Sequence, residues 1–354
     1  MKEKHIFAGS ITAYGFYSCF DYIFNPAELD HIYILKGGPG VGKSSFMKKF
    51  AAEMINQNHS VEYIHCSSDS ESLDGIIIPE VNIAFVDGTS PHTIDPSIPG
   101  AVDEIINLGA FLNSRELLKH KNQIMQINQT KTQLYKSAYR YFHAADIISE
   151  EINSLSGQFI NRTKFNEMCN EAVNKLFPDN ISLNKNSNIK KMFSESYTAS
   201  GYINKTMDMC QGKRVWSVVG ENTNYTSEFL KSLADEAEKR GYTMELYLMP
   251  QNPTKLQHLY IPEINLLVVS SESYPSNGFE EVFDIHSITD TDNLKAHISE
   301  IENNLHLQEV LIKNALKKLS ETKKYHELLE VFYINNMDFN SVDECFKDIL
   351  RQYT

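Results

Sequence analysis

No apolar run in this chain of 354 residues approaches the roughly 18–20 needed to cross a bilayer, so a membrane-spanning helix is not expected. The opening residues, MKEKHIFAGS, carry charge but no apolar h-region, which argues against a secretory leader. Cysteines number 5. Cys66, Cys169, Cys210 and Cys345 read as small buried residues, and Cys19 falls in an aromatic patch. No C-x-x-C pair points to zinc or dithiol chemistry, and a reducing, cytoplasmic setting is the reading. Positive charge is also short. The formal net charge of −13 argues against a surface-wide nucleic-acid footprint. The locally basic stretch Lys119–Arg140 reads as a solvated helix face. The base-reading run N-K-x-D is missing (Asn314 opens N-A-L-K), which weakens a GTPase reading and leaves ATP versus GTP open. What remains is ordinary: 42% hydrophobic and 22% charged residues, a globular composition with length for about two domains at ~150 residues each.

One stretch stands out. Ile32–Leu35 is a short apolar run, and Gly37-Gly38-Pro39-Gly40-Val41-Gly42-Lys43-Ser44 after it fits G-x-x-x-x-G-K-[ST], the phosphate-binding P-loop. Phe46–Ala52 continues as a helix, so the motif sits between strand and helix as the mechanism requires. Glycines let successive backbone N–H groups converge on an anion, and the helix N-terminus adds partial positive charge. Gly38, Pro39, Gly40, Val41, Gly42, Lys43, Ser44 and Ser45 are therefore the expected nucleotide cradle. Lys43 is expected on the β/γ-phosphates and the Ser44 hydroxyl on Mg²⁺.

Strand-like runs follow at Val61–Cys66 and Asn82–Val86, with a Pro/Gly-rich loop over Gly88–Gly100. Strands alternating with helices predict a mostly parallel sheet. From Leu117 to Leu155 the period becomes helical. Leu134, Ala138, Tyr141, Ala145, Ile148 and Ile152 form an a/d seam, and a shorter helix over Lys164–Phe177 completes a helical hairpin. After a linker at Ser182–Asn188 the chain repeats itself. Phe7–Tyr17 resembles Phe193–Ile203, Gly37 aligns with Gly220, and the match runs without a gap from Val215 through Ser271. Leu294, Ile298, Ile301, Leu305, Ile312, Ala315 and Leu319 form a second seam. The expected organisation is a first half over 1–183 (α/β core about 5–112, helical tail about 113–180). A second half spans 189–354 (core about 190–290, tail about 291–354), the two packed in a pseudo-two-fold manner. The second copy carries Gly220-Glu221-Asn222-Thr223-Asn224-Tyr225-Thr226-Ser227 in place of the P-loop, without its lysine, and is expected to bind no nucleoside triphosphate in the usual mode.

The repeat is an internal control, because polar positions present only beside the intact loop are candidates for chemistry. Asp87 ends its strand where a Walker-B-type Asp holds Mg²⁺ or its water, and Ser270 replaces it; the alternative is a turn-starting Asp before Gly88. Asp69 and Asp74 become Asn252 and Gln257, and either is placed to orient the attacking water or an acceptor hydroxyl, or else to cap a loop. His65, Cys66 and His92 become Leu248, Met249 and Pro275. They read as a polar wall rather than a metal site, since adjacent strand residues face opposite ways. Glu80, Thr12 and Gly15 persist as Glu263, Thr198 and Gly201 and read as structural.

Phe7–Gly9 with Gly15–Tyr17, LKGGPGVGKSSFMKK (Leu35–Lys49), VEYIHCSSDSESLDGIIIPE (Val61–Glu80) and VDGTSPH (Val86–His92) together resemble a family of duplicated P-loop ATPases of spore-forming and related Gram-positive bacteria. The likeness covers the first half and extends to the second through the repeat. It implies ATP binding and Mg²⁺-dependent hydrolysis but no substrate. The family's second copy can also carry a P-loop, and this chain departs from that. The expectation is thus a duplicated α/β P-loop NTPase, active in its first half, with Lys43, Asp87, Asp69 and Asp74 in the chemistry. A P-loop kinase of a small molecule is the first rival; it usually needs an arginine-bearing lid, and only Arg115 is close in sequence to the first core. The second is a nucleotide-dependent switch whose helical tails recruit a protein partner.

Overall fold

The computed structural model describes residues 3–90, 92–178, 182–183, 185–271 and 278–353. The chain begins with β1 (Glu3–Ile6), a hairpin of β2 (Gly9–Thr12) and β3 (Gly15–Ser18), and the short helix α1 (Phe20–Ile23). β4 (His31–Lys36) leads through the glycine-rich loop into α2 (Lys43–Asn56). β5 (Val61–His65), β6 (Leu73–Ile78), β7 (Ile83–Asp87) and β8 (Asp103–Asn107) complete a six-stranded sheet of order β1-β5-β6-β7-β4-β8. α3 (Ser114–Lys119), α4 (Lys121–Gly157) and α5 (Arg162–Leu176) follow.

The second half repeats this plan with β9 (Ile189–Met192), β10 (Glu195–Thr198), β11 (Gly201–Asn204), α6 (Thr206–Cys210), β12 (Arg214–Val219) and α7 (Thr223–Lys239). β13 (Met244–Leu248), β14 (Leu256–Ile261), β15 (Leu266–Ser271) and β16 (Glu281–Asp284) give the same strand order, β9-β13-β14-β15-β12-β16. α8 (Thr291–Leu294), α9 (Ile298–Ile334) and α10 (Phe339–Leu350) close the chain.

Each sheet is mixed and mostly parallel. β6 and β14 alone run against their neighbours. Strand β6 is a departure from the alternation of strand and helix read in the sequence. Its first residues, Leu73-Asp74-Gly75, look like loop, and a strand that hairpins onto its neighbour needs no crossover helix to announce it. β8, on the edge beside β4, was equally silent in the sequence.

Local devices are copied faithfully. Pro79 and Pro262 each open a single helical turn that ends at an asparagine of positive φ, Asn82 at 55° and Asn265 at 50°. Asparagine tolerates that left-handed backbone better than most residues. The Glu80 carboxylate accepts the Ser60 N–H at 3.0 Å, and Glu263 accepts the Thr243 N–H at 3.0 Å. Thr12 and Thr198 donate to the carbonyls of Gly15 and Gly201, closing both hairpin turns. The halves meet across these hairpins. Phe7 and Phe193 exchange both backbone hydrogen bonds at 2.9 Å, and the Ser10 and Ser196 hydroxyls bond each other at 3.0 Å.

The helices depart from the expected hairpins. α4 and α9, 37 residues each, do not fold back on their own short partners but pack antiparallel on each other. His120 meets Phe332 while Lys131 meets His326, so rising numbers on one helix face falling numbers on the other. Ala138 and Phe142 pack near Ala315 and Leu319, all buried. α5 then caps the second sheet, burying Phe165, Cys169, Ala172 and Leu176 among Trp216, Phe229 and Leu230. α10 returns to the first, placing Val342 and Ile349 among Tyr33, Phe46 and Phe50. An apolar seam shows that a helix has a partner but not which one, so local pairing was the default and the exchange went unread.

Candidate active site

The glycine-rich loop leaves β4 at Lys36 and enters α2 at Lys43. Gly40 and Gly42 have φ of 71° and 97°, a left-handed backbone that a side chain would strain. Val41 alone turns inward, fully buried in the first core. α2 has Gly42 at its N-cap and no side chain capping it. Helix N-termini ordinarily satisfy their leading N–H groups with Ser, Thr, Asp or Asn, and an uncapped, glycine-lined start is open to an anion. The Lys43 ammonium folds back over the loop, donating to the carbonyls of Gly37 at 2.8 Å and Gly38 at 2.9 Å.

β7 delivers Asp87 beside it, since Leu35 on β4 pairs with Asp87 in parallel register. Asp87 Oδ2 lies 3.5 Å from Lys43 Nζ, while its Oδ1 accepts from the Thr89 N–H and hydroxyl. The antiparallel register of β6 on β7 pairs Gly75 with Val86, and one step further sets Asp74 across from Asp87. Opposed residues share a sheet face at about 5 Å between Cα atoms. Asp74 is 2% exposed. Burial pushes its carboxyl above the usual range, opposed by nearby His92. His92 reaches back from the loop after β7, its Nε2 3.6 Å from Asp74 Oδ1. Lys36 holds that loop, donating to the carbonyls of Gly88 at 2.9 Å and Ile94 at 2.6 Å.

The structure separates the other candidates. Asp69 lies in the loop before β6. It accepts from the Ser72 hydroxyl at 2.9 Å and meets Lys323 of α9 at 3.3 Å, so it ties that loop to the second half's long helix. Ser44 Oγ accepts the Leu73 N–H at 3.1 Å, and Ser227 Oγ accepts the Leu256 N–H at 2.8 Å in the second copy, so this hydroxyl also has a structural duty. The second lone pair of Ser44 is left for a cation. His65 and Cys66 part company. His65 Nε2 bonds His5 Nδ1 at 2.9 Å, and burial lowers its imidazole to about 4. The Cys66 thiol goes to the side of Asp74, and burial raises it well above its ordinary value. Among the described residues, no three of His, Cys, Asp and Glu are grouped to hold a metal on their own. Pro275, aligned with His92, lies outside the described residues.

A contribution the sequence did not reveal comes from the second half. The end of α9 lies on the loop: a Cβ on Gly38 would be 2.5 Å from the Tyr333 ring, and one on Gly40 would be 2.9 Å from Ile334 and 3.3 Å from Glu330. The tail exchange that brings α10 across also brings these residues, so no pattern local to the loop could have signalled them.

At the mirror position in the second half the helix-start amides are bonded by protein, beside a polar cleft lined by Glu150, Asn224, Ser227, Asn252 and Lys255. Asn222 caps α7, its Oδ1 accepting from the N–H groups of Asn224 and Tyr225. Its Nδ2 donates to the Asn153 carbonyl and the Ser156 hydroxyl, both at 2.8 Å. Asn153 Oδ1 accepts the Thr223 N–H at 2.8 Å. The amides that an anion would need are already satisfied by two asparagines. Lys255 enters from β13–β14, bonding Thr223 Oγ1 at 3.0 Å and Glu150 at 2.5 Å.

Comparison with protein-family profiles, with curated proteins and with solved structures gives no match. Among the described residues no helix is long and apolar enough to cross a membrane.

Proposed function

We propose that the first half is a P-loop ATPase: it binds one ATP with Mg²⁺ and hydrolyses it, while the second half is a structural and regulatory copy that binds no nucleotide. The observation that carries this reading is the contrast between two equivalent helix starts. At α2 the N-terminus is uncapped, glycine-lined and faced by Lys43; at α7 it is stoppered by Asn222 and Asn153.

Lys43 is held by two loop carbonyls and lies 3.5 Å from Asp87; a phosphate, carrying more charge than a carbonyl dipole, would draw the ammonium towards it. Turning onto the β/γ-oxygens, it offsets charge that builds there during phosphoryl transfer. The loop N–H groups do the same from the other side. Ser44 Oγ and Asp87 Oδ2 would hold Mg²⁺, a donor set that fits a cation usually bound by one or two protein oxygens plus phosphates and water. The ion would supply charge neutralisation across the β- and γ-oxygens. Thr89, bonded to Asp87 Oδ1, fixes the orientation of that carboxylate. Tyr333, Ile334 and Glu330 close the outside of the loop, so the site is complete only when both halves are folded.

The test is phosphate release from ATP and Mg²⁺, with binding followed by calorimetry, for wild type and Lys43→Ala. Release that needs no acceptor and is lost in Lys43→Ala supports hydrolysis; release only with an added acceptor means a kinase; absence of binding refutes the reading. One observation favours a switch as second reading. The turn of α9 on the loop is continuous with the 37-residue α4–α9 pair, so a nucleotide-dependent shift of the loop would be passed along both helices.

A further inference from the structure

Behind the Lys43–Asp87 pair lies a group of buried polar atoms with no partner among the described residues. Both ring nitrogens of His92 and Oδ2 of Asp74 make no hydrogen bond, in residues 8% and 2% exposed. Each such atom costs about 1–3 kcal/mol if nothing polar meets it. Asp74 and His92 approach to 3.6 Å, which is too long for a direct bond. The His92 ring is clamped flat on Phe20, centroids 4.5 Å apart at 9°, with Phe16 at 5.9 Å. The gap therefore has polar groups on some sides and packed aromatic rings on another. A water bonded to both side chains would meet the 2–4 polar partners a buried water needs.

The surroundings are built to hold this arrangement. Lys36 anchors the loop carrying His92 at Gly88 and Ile94. In the second repeat Lys36, Asp74 and Asp87 are replaced by Val219, Gln257 and Ser270, so these residues accompany the glycine-rich loop.

We propose that His92 and Asp74 hold the water that attacks the γ-phosphate, an assignment that rests on the ATPase reading above. The water oxygen forms the new bond to the γ-phosphorus. The bond from that phosphorus to the bridging oxygen breaks, its electron pair leaves with ADP, and one water proton passes to an oxygen of the released phosphate. His92 and Asp74 orient the water by hydrogen bonds and keep their own protonation states.

The experiment compares wild type with His92→Phe, His92→Asn and Asp74→Asn. His92→Phe keeps the stack on Phe20 and removes both nitrogens. Phosphate release is expected to fall about 10²-fold in His92→Phe and Asp74→Asn. MgATP affinity should stay within about twofold and the melting temperature should hold; His92→Asn, which restores one donor and one acceptor, recovers part of the rate. A wild-type rate in His92→Phe overturns the assignment. So does a rate loss matched by an equal loss of MgATP affinity, or unfolding of all the variants. A wild-type chain that binds MgATP but releases phosphate only to an added acceptor overturns this inference and leaves nucleotide binding standing. One that binds no MgATP overturns the ATPase reading itself.

Discussion

At the scale of single residues, the account turns on a few side chains whose surroundings are unequal in the two copies. Gly40 is the sharpest steric case. Gly40→Ala combines a strained φ with a methyl 2.9 Å from Ile334, and should cost about 1–3 kcal/mol and weaken MgATP binding. Urea denaturation alongside calorimetry measures both effects, and Gly100→Ala, also at positive φ but in open space, is the control for backbone strain alone. Asn222 makes the opposite case. Asn222→Ala removes a helix cap and two further hydrogen bonds, and should destabilise the chain by about 1–3 kcal/mol without changing phosphate release. His65 gives a pH signature. Its folded value near 4 lies below an unfolded value of about 6.5, so the unfolded chain binds more protons between the two. Stability from this group is fully present above about 6.5 and is lost as pH falls towards 4, by on the order of 1–3 kcal/mol. Of the groups facing it, His5, Lys205 and Lys48 oppose its protonation and the Ser70 carbonyl, 3.3 Å from Nδ1, favours it without offsetting burial. A His65→Phe chain should lose that part of the acid slope in melts from pH 7 to pH 4; an unchanged slope would assign it elsewhere.

At the scale of elements, the exchange of helical tails governs stability. α10 belongs to the second repeat but packs on the first core, where Phe346 meets Phe46 edge-on at 5.2 Å and Tyr353 bonds the Tyr33 hydroxyl at 2.9 Å. Phe346→Ala should therefore lower hydrogen-exchange protection in β4 and α2 more than in β12 and α7, and protection lost chiefly in β12 and α7 would contradict the exchange. Phe142, fully buried between the long helices, should cost about 3–5 kcal/mol on truncation to Ala, read as a drop in unfolding midpoint. These elements also mark where the sequence was legible. The glycine-rich loop between strand and helix and the structural Glu80 and Glu263 stand where their local chemistry put them, because each is decided by near neighbours. The antiparallel β6 and the crossing of α5 and α10 are decided by contacts far along the chain. With β6 went the facing of Asp74 and Asp87, and with the crossing went Tyr333, Ile334 and Lys323 as neighbours of the site. Glu80 and its counterpart Glu263 both accept backbone N–H groups, whereas Asp74 is buried with Cys66 and His92 against it and its Oδ2 without a hydrogen bond.

At the scale of the whole molecule, two sheets of one topology carry equivalent helix starts in unlike surroundings. The pseudo-two-fold contact at Phe7 and Phe193 joins them symmetrically, while the two helix starts are unlike: α2 has no side-chain cap, and the leading amides of α7 are bonded by Asn222 and by Asn153 of α4. The end of α9 packs on the first loop, so the second half contributes to the surroundings of that loop. The most direct measurement is a calorimetric titration of the full chain with ATP and Mg²⁺, in wild type and in Lys43→Ala. The expected result is one site per chain, abolished by Lys43→Ala and untouched by Lys255→Ala in the second half. Two sites per chain, no site, or a site indifferent to Lys43 would contradict it.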